Sequence, residues 1–96
     1  MMYAQIQQKL CTQTVFLPEI GRITYILTED TLPNGEHCYS ITVQYTDSSP
    51  SNTILESRTV RDVTADRHTA FCLFWQVCRG TVTPCTLTEV LSDLLS

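Results

Sequence analysis

The clearest pattern in the chain is a strict alternation of apolar and polar residues over Cys38–Thr46. A period of two residues is typical of a β-strand with one buried face and one solvated face. The pattern predicts that the apolar set is buried and that the polar set is wetter, because a shift of one residue would invert both. The apolar set is Tyr39, Ile41, Val43 and Tyr45, and the polar set is Ser40, Thr42, Gln44 and Thr46.

Three less regular patterns predict further strands. They are Thr12–Leu17, Arg22–Thr28 and Thr53–Val63. Asn34-Gly35 favours a hairpin before Cys38–Thr46, because both turn positions tolerate positive φ. The alternation in Thr53–Val63 breaks near Ser57–Thr59, which favours a bulge or a bend at that point. No helical period separates the four segments, so we expect them to pair as an antiparallel meander.

The hydrophobic period lengthens to that of a helix in the last third of the chain. The spacing of apolar residues predicts an amphipathic helix over Ala65–Arg79, whose core face consists of Ala70, Phe71, Phe74, Val77 and Cys78. We expect Thr64 or Asp66 to cap its start and Gly80 to end it. A second apolar stripe predicts a helix over Leu87–Leu95, and Thr86-Leu87-Thr88-Glu89 has the spacing of a capping box.

The order of these elements predicts an α+β fold, since strands come first and helices last. We expect an antiparallel meander of three to four strands, with two C-terminal helices packed on one face. The 96 residues suit a single domain, 1–96, in which residues 1–21 form either an N-terminal arm or the first strand.

Charge and hydropathy disfavour two classes of partner. Ten acidic and six basic residues give a net charge of −4, whereas nucleic-acid binding requires clustered lysine and arginine. The longest apolar run, Ala70–Trp75, is far shorter than the roughly 20 residues of a membrane-spanning helix. We therefore expect neither a nucleic acid nor a membrane as partner.

The five cysteines indicate a compartment. They are Cys11, Cys38, Cys72, Cys78 and Cys85. An odd number of cysteines, without a continuous apolar signal sequence at the start, favours free thiols in a reducing environment. We expect an unprocessed, cytoplasmic chain.

The residue spacings predict no catalytic, cofactor-binding or metal-binding site. His68 and Cys72 share a face of the predicted helix, but a C-x₂-C pair typical of zinc sites is absent from the sequence. Cys85 precedes the predicted start of the second helix, where the helix dipole would lower the pKa of a thiol. It is the candidate reactive thiol, although no histidine stands in a recognisable motif with it.

Two functions remain from these observations. The first is a small cytoplasmic module for protein interaction or assembly, regulatory roles included, that binds an unknown protein or a second copy of itself. Leu73 and Trp75 widen the apolar surface of the first helix beyond one stripe, and tryptophan is enriched in interface hot spots, so both are candidate interface residues. The alternative is a thiol enzyme or redox protein that uses a cysteine near the start of the second helix.

Two segments resemble a known family. They are Val60–Asp66 (VRDVTAD) and Val82–Leu95 (VTPCTLTEVLSDLL). With the strands around Tyr25 and Tyr39, they are similar to small proteins of unknown function from clostridia and related Firmicutes. The resemblance covers roughly Arg22–Leu95. It implies a small bacterial, cytoplasmic protein and no particular activity.

Overall fold

Four strands form one antiparallel sheet in the order β1-β2-β3-β4. A computed structural model describes residues 6–18, 21–47 and 53–95 of the chain. The strands are β1 (Ile6–Leu17), β2 (Gly21–Thr31), β3 (His37–Asp47) and β4 (Ile54–Thr64). They are followed by helix α1 (Arg67–Arg79), a 3₁₀ turn (Pro84–Thr86) and helix α2 (Leu87–Leu95). The predicted α+β meander is confirmed, and the segment that was either an arm or a strand contains β1.

The β2–β3 hairpin is built on the turn that Asn34-Gly35 predicts. Gly35 has a φ of +87°, a value that glycine adopts without steric cost. The Glu36 N–H donates to Asn34 Oδ1 at 3.0 Å, and the Gly35 N–H donates to the Leu32 carbonyl at 2.9 Å. These bonds close the turn and set the register in which Thr31 pairs with His37.

The two faces of β3 follow the predicted alternation only in part. Tyr39, Ile41 and Val43 are buried beneath the helices, as predicted, while Tyr45 is only half-buried. The prediction that the polar set is wetter is wrong for Ser40 and Thr46, which are 3% and 5% exposed. Ser40 donates a hydrogen bond to the buried Asp30, which satisfies its hydroxyl away from water.

The irregularities of β4 lie at its ends rather than near Ser57–Thr59. Residues 56 to 60 pair with β3 in continuous register. One shift in register lies between Ile54 and Glu56, and a larger one lies between Val60 and Thr64. At the second, Asp62 has a φ of +54°, which is typical of bulged strands. Extra residues at both ends thus allow the central pairing to stay regular.

The core lies between one face of the sheet and the two helices. Its residues are Ile23, Tyr25, Leu27, Tyr39, Ile41, Val43, Val63, Ala70, Leu73, Phe74, Val77, Val82, Leu87 and Leu91. Tyr25 is fully buried, and its hydroxyl donates to the Val82 carbonyl at 2.9 Å, which ties the sheet to the segment between the helices. Burial, and to a lesser extent Cys78, raises the pKa of Tyr25 to about 12.

Helix α1 is capped at both ends by residues that its sequence supplies. Asp66, one of the two predicted caps, accepts from the Thr69 N–H at 2.8 Å and from the Thr69 hydroxyl at 2.6 Å. At the other end, Thr81 and Val82 donate back to the carbonyls of Cys78 and Val77, the bonding pattern of a Schellman motif. The helix ends at Gly80 as predicted, but the left-handed residue of the motif is Thr81, with a φ of +49°.

Replacing Thr81 with glycine should stabilise the protein. A β-branched residue is disfavoured at positive φ, so relief of that strain, less the greater entropy of glycine in the unfolded chain, should add about 0.5–1 kcal/mol. Chemical denaturation of the purified variant measures the gain. Thr88→Gly, at an exposed position inside α2, is the control and should lose stability. A lower denaturation midpoint for Thr81→Gly than for the wild type would show that Thr81 is not strained.

Helix α2 begins without the predicted capping box. Thr86 belongs to the 3₁₀ turn that precedes the helix, and its hydroxyl contacts Thr83, whose carbonyl oxygen lies 3.2 Å away. Pro84 is the first residue of the turn, directly after Thr83. Proline is favoured there because the N–H that it lacks would have no partner within the turn. Of the helices that the described residues form, none has the length and apolar character to cross a membrane.

The two caps should differ in denaturation experiments. Asp66→Ala removes the acceptor of two hydrogen bonds and should lower the denaturation midpoint clearly more than Thr86→Ala. The hydrogen bonds from Thr69 lower the pKa of Asp66 from 3.8. The stabilisation is therefore present above that value and is lost as the pH falls through the lowered pKa. Equal midpoints for the two variants at neutral pH would contradict the assignment of the caps.

Candidate functional site

One face of α1 points away from the sheet and carries unusually large side chains. His68, Phe71, Cys72, Trp75, Gln76 and Arg79 recur at helical spacing, and together they form what we name the α1 ridge. They line an open depression of about 540 Å³. Trp75 is 41% exposed, whereas its neighbour Phe74 is fully buried. The helix therefore buries one apolar stripe and presents a second.

The aromatic rings of the ridge are held by packing. Trp75 meets Phe74 edge-on, with 5.5 Å between ring centroids and 71° between planes, a favoured aromatic geometry. The guanidinium of Arg67 lies 5.8 Å from the centroid of the Phe71 ring, within the range of a cation–π contact. Since Phe74 is fixed in the core, the Trp75 ring is supported from below while its outer surface faces water.

Charge on α1 is opposite in sign to that of the whole chain. The helix contains Arg67, Arg79 and His68 and no acidic residue, whereas the chain has a net charge of −4. Arg67 lies 3.9 Å from Glu29, which also accepts from the Tyr39 hydroxyl at 2.7 Å. Burial, with the hydrogen bond to Glu29, raises the pKa of Tyr39. The ridge thus combines apolar surface with positive charge.

The two candidate interface residues have different positions. Trp75 lies on the α1 ridge, as expected. Leu73 is only 5% exposed and belongs to the core, so the expectation that it widens the exposed surface is wrong. Its position on the helix turns it toward the sheet together with Ala70, Phe74 and Val77. Phe71, which the sequence pattern assigned to the core, is half-buried and contributes to the ridge instead.

The candidate thiols occupy two separate places. Cys85 is exposed in the 3₁₀ turn, where its sulfur lies 3.3 Å from Thr83 Oγ1. It lines a second depression, of about 410 Å³, with residues that include Leu17, Tyr45 and Leu55. The cysteine that contacts a histidine is Cys72, whose sulfur lies 3.7 Å from His68 Nε2 on the ridge. Cys72, rather than the predicted Cys85, is therefore the exposed cysteine for which the structure gives a histidine contact.

A buried polar cluster on the opposite face of the sheet is invisible to pattern analysis. Asp30 is 1% exposed, and its Oδ2 accepts from Ser40 at 3.2 Å. Its Oδ1 is buried and has no hydrogen-bond partner among the described residues. Cys38 pairs with Asp30 across the strands. A hydrogen bond to Asp62, then burial, and then the charges of Asp62 and Asp30 raise the pKa of the Cys38 thiol to about 11.

Neither the ridge nor this cluster makes a metal centre. Among residues 6–18, 21–47 and 53–95, no group of three or more histidine, cysteine, aspartate or glutamate side chains is arranged to hold an ion. The described part of the chain thus offers hydrogen-bonding and apolar chemistry at the ridge.

The five thiols should separate into fast and slow groups on reaction with a disulfide reagent at neutral pH. Cys72 and Cys85 are exposed and should react first. Cys38 and Cys78 should react slowest, because their pKa values are raised to about 11, for Cys78 by burial and then by Cys11. Mass spectrometry of the quenched reaction identifies each site. Early modification of Cys38 would contradict the packing of the buried cluster.

The comparisons with known proteins identify the family. The chain belongs to a family of unknown function, DUF6514, whose model matches residues 5–96. A search of the curated proteins and a search of the solved structures each found no match.

Proposed function

We propose that this member of DUF6514 is a protein-interaction module, and that the α1 ridge docks an acidic, amphipathic helix of a partner protein. The observation that carries the proposal is the exposed ring of Trp75 on a helix whose core stripe is already filled by Ala70, Leu73, Phe74 and Val77. Such a second stripe is typical of a surface that meets another protein.

The shape of the ridge favours a helix as the ligand. Its side chains extend over about three turns of α1, from His68 to Arg79, and they line one open depression. Two helices pack side by side when apolar residues at i, i+3, i+4 and i+7 interlock. Phe71, Cys72 and Trp75 provide three such positions. A partner helix laid along the ridge would therefore meet Trp75 near the middle of the interface.

The charge of the ridge favours acidic residues on that partner. Arg79 is the basic residue of the ridge itself, and α1 has no acidic residue. Arg67 lies beside the ridge, over the Phe71 ring and 3.9 Å from Glu29. Complementary charge accelerates association and fixes orientation more than it adds affinity. We therefore assign the affinity to Trp75 and Phe71 and the selectivity for acidic sequences to the arginines.

The five free cysteines support a cytoplasmic location for this module. Cys72 lies on the ridge itself, and an exposed thiol stays reduced in a compartment maintained by thiol reductants. A reducing bacterial cytoplasm, which the family resemblance implies, is therefore part of the proposal.

Selection from a library of helical peptides tests the proposed function. The purified wild-type protein is the bait in reducing buffer, and Trp75→Ala is used only afterwards, to measure the affinity of each enriched peptide. Enriched peptides should be acidic with apolar residues at helical spacing. The affinity of a labelled peptide should fall at least about tenfold in Trp75→Ala, as expected for a hot spot. Arg79→Glu should also weaken binding, and more strongly at low salt.

Leu55→Ala is the matched control, because Leu55 is a large apolar residue that is 56% exposed on β4, away from the ridge. Its affinity for the peptide should equal that of the wild type. Enriched peptides that are neutral or basic, or that bind Trp75→Ala equally well, would overturn the proposal.

A thiol-based activity is the second candidate, and the contact between Cys72 and His68 is the observation that favours it. A histidine beside a cysteine can accept the thiol proton and leave a nucleophilic thiolate. This candidate requires Cys72 to react much faster than the equally exposed Cys85, and to lose that advantage in His68→Gln. Similar rates for the two thiols would reject it.

A further inference from the structure

The two edges of the sheet are protected to very different degrees. β4 carries Glu56, Arg58, Arg61 and Asp62, has irregular pairing at both ends, and donates from Arg58 to Thr88 of α2 at 3.4 Å. Charges, bulges and a covering element are the devices by which natural sheets prevent further strands from adding to an edge. β4 uses all three.

Among the residues that the structure describes, most of β1 uses none of these devices. Its one charge, Lys9, and its one irregularity, between Lys9 and Cys11, both lie in its first half. From Cys11 to Leu17 the strand has no charged residue and no proline, and it pairs with β2 in continuous register. The outer N–H and C=O groups of such a strand are available to another strand. Phe16, in this segment, is 74% exposed.

The uncharged segment is complementary to itself. It is centred on Thr14, so two antiparallel copies that pair over its whole length place Thr14 opposite Thr14 of the second copy. Thr12 then lies opposite Phe16, Gln13 opposite Val15, and Cys11 opposite Leu17. Side chains directly opposite each other point to the same face, and aromatic pairs with β-branched residues are favourable. The arrangement brings no like charges together within the segment.

This pairing also continues rows of side chains that the sheet already has. Cys11 lies beside Leu27 on the core side of the sheet, and Leu17 of the second copy would extend that row. Thr12 lies beside Ile26 on the other face, where Phe16 of the second copy would join it. Cys11 and Leu17 already pack at the margin of the core. The paired strands would thus cover apolar surface that one copy leaves partly open.

We propose that two copies of the chain associate through β1, in antiparallel register about Thr14, and form a continuous eight-stranded sheet. A twofold axis normal to the sheet relates the copies, so their helices lie on the same side. The charged β4 edges end the assembly at two copies. This interface is separate from the α1 ridge and does not depend on its proposed ligand.

Charge substitutions at the twofold axis test the register. Sedimentation equilibrium of the wild type in reducing buffer should show a monomer–dimer equilibrium. Thr14→Lys and Thr14→Glu each place like charges opposite each other, and each should raise the dissociation constant at least tenfold. An equimolar mixture of the two variants should recover the dimer, because lysine then faces glutamate. That recovery cannot arise from a folding defect.

Hydrogen exchange measured by NMR adds a readout for each residue. Alternate amides of Cys11–Leu17 point away from β2, and these should gain protection as the protein concentration rises. Ser57→Lys, on the opposite edge, is the control and should leave the dimer intact. A wild type that stays monomeric to millimolar concentration, or a dimer that survives both Thr14 variants, would overturn the proposal. So would a dimer that only Trp75→Ala abolishes, because it would place the contact on the α1 ridge.

Discussion

Replacing Phe74 with alanine should lower the free energy of unfolding by about 3–5 kcal/mol. Phe74 is fully buried between the sheet and the helices, so truncation removes apolar contacts and leaves a cavity that a close-packed interior fills only in part. The Trp75 ring would also lose the edge-on contact that supports it. Denaturant unfolding followed by circular dichroism measures the loss without reliance on tryptophan fluorescence.

Phe71→Ala is the matched control for this experiment. The same atoms are deleted from the same helix, but Phe71 is only half-buried and lines the α1 ridge. Its loss should therefore be clearly smaller than that of Phe74→Ala, since exposed surface contributes less on folding. Equal losses would show that Phe71 is part of the core and would remove it from the proposed interface.

Hydrophobic periodicity predicted the number, order and type of the elements because each has one face against a shared core. Tyr39, Ile41 and Val43 are buried for the reason that the alternation indicates. Ser40 departs from the pattern because its burial depends on Asp30, a residue of the neighbouring strand that pattern analysis does not place beside it. Such polar contacts across strands are tertiary, and local sequence carries no signal for them.

The ends of the helices were predicted less well than their central turns. The residues Thr86 and Glu89 have capping-box spacing, but Thr86 belongs to the 3₁₀ turn that Pro84 starts, and its hydroxyl contacts Thr83. Thr81 occupies a left-handed position beside a glycine that has an ordinary helical φ of −80°. In both places the hydrogen bonds of the backbone determine how the helix begins or ends. The residue that fits the sequence motif, Thr86 or Gly80, therefore does not take the role that the motif predicts.

Of the two residues predicted for the candidate site, one is exposed and the other is buried. Composition and helical spacing predicted Trp75 as a candidate interface residue, and the structure leaves its side chain 41% exposed. Leu73 does not belong to the exposed surface because it lies on the buried stripe of α1 with Ala70, Phe74 and Val77. The unprotected second half of β1 could be recognised only once β4 was known to be the other edge, since protection is a comparison between edges.

Replacing Gly21 with alanine should destabilise the protein by more than about 3 kcal/mol, because it combines backbone strain with a steric clash. Gly21 begins β2 with a φ of +149°, where a Cβ atom is strained. An added Cβ would lie 2.1 Å from the carbonyl oxygen of Thr46 and 3.1 Å from its carbonyl carbon. Both are backbone atoms of β3, so relief requires the two strands to separate where they pair.

Gly35→Ala is the control that isolates the clash from the strain. Gly35 also has a positive φ, of +87°, but an added Cβ there meets no atom within 4 Å. Gly35→Ala should therefore lower the free energy of unfolding only by the strain of a left-handed residue, about 1–2 kcal/mol. Urea denaturation of the two variants measures the difference. If Gly21→Ala lost no more stability than Gly35→Ala, the close approach of β2 and β3 at Thr46 would be refuted.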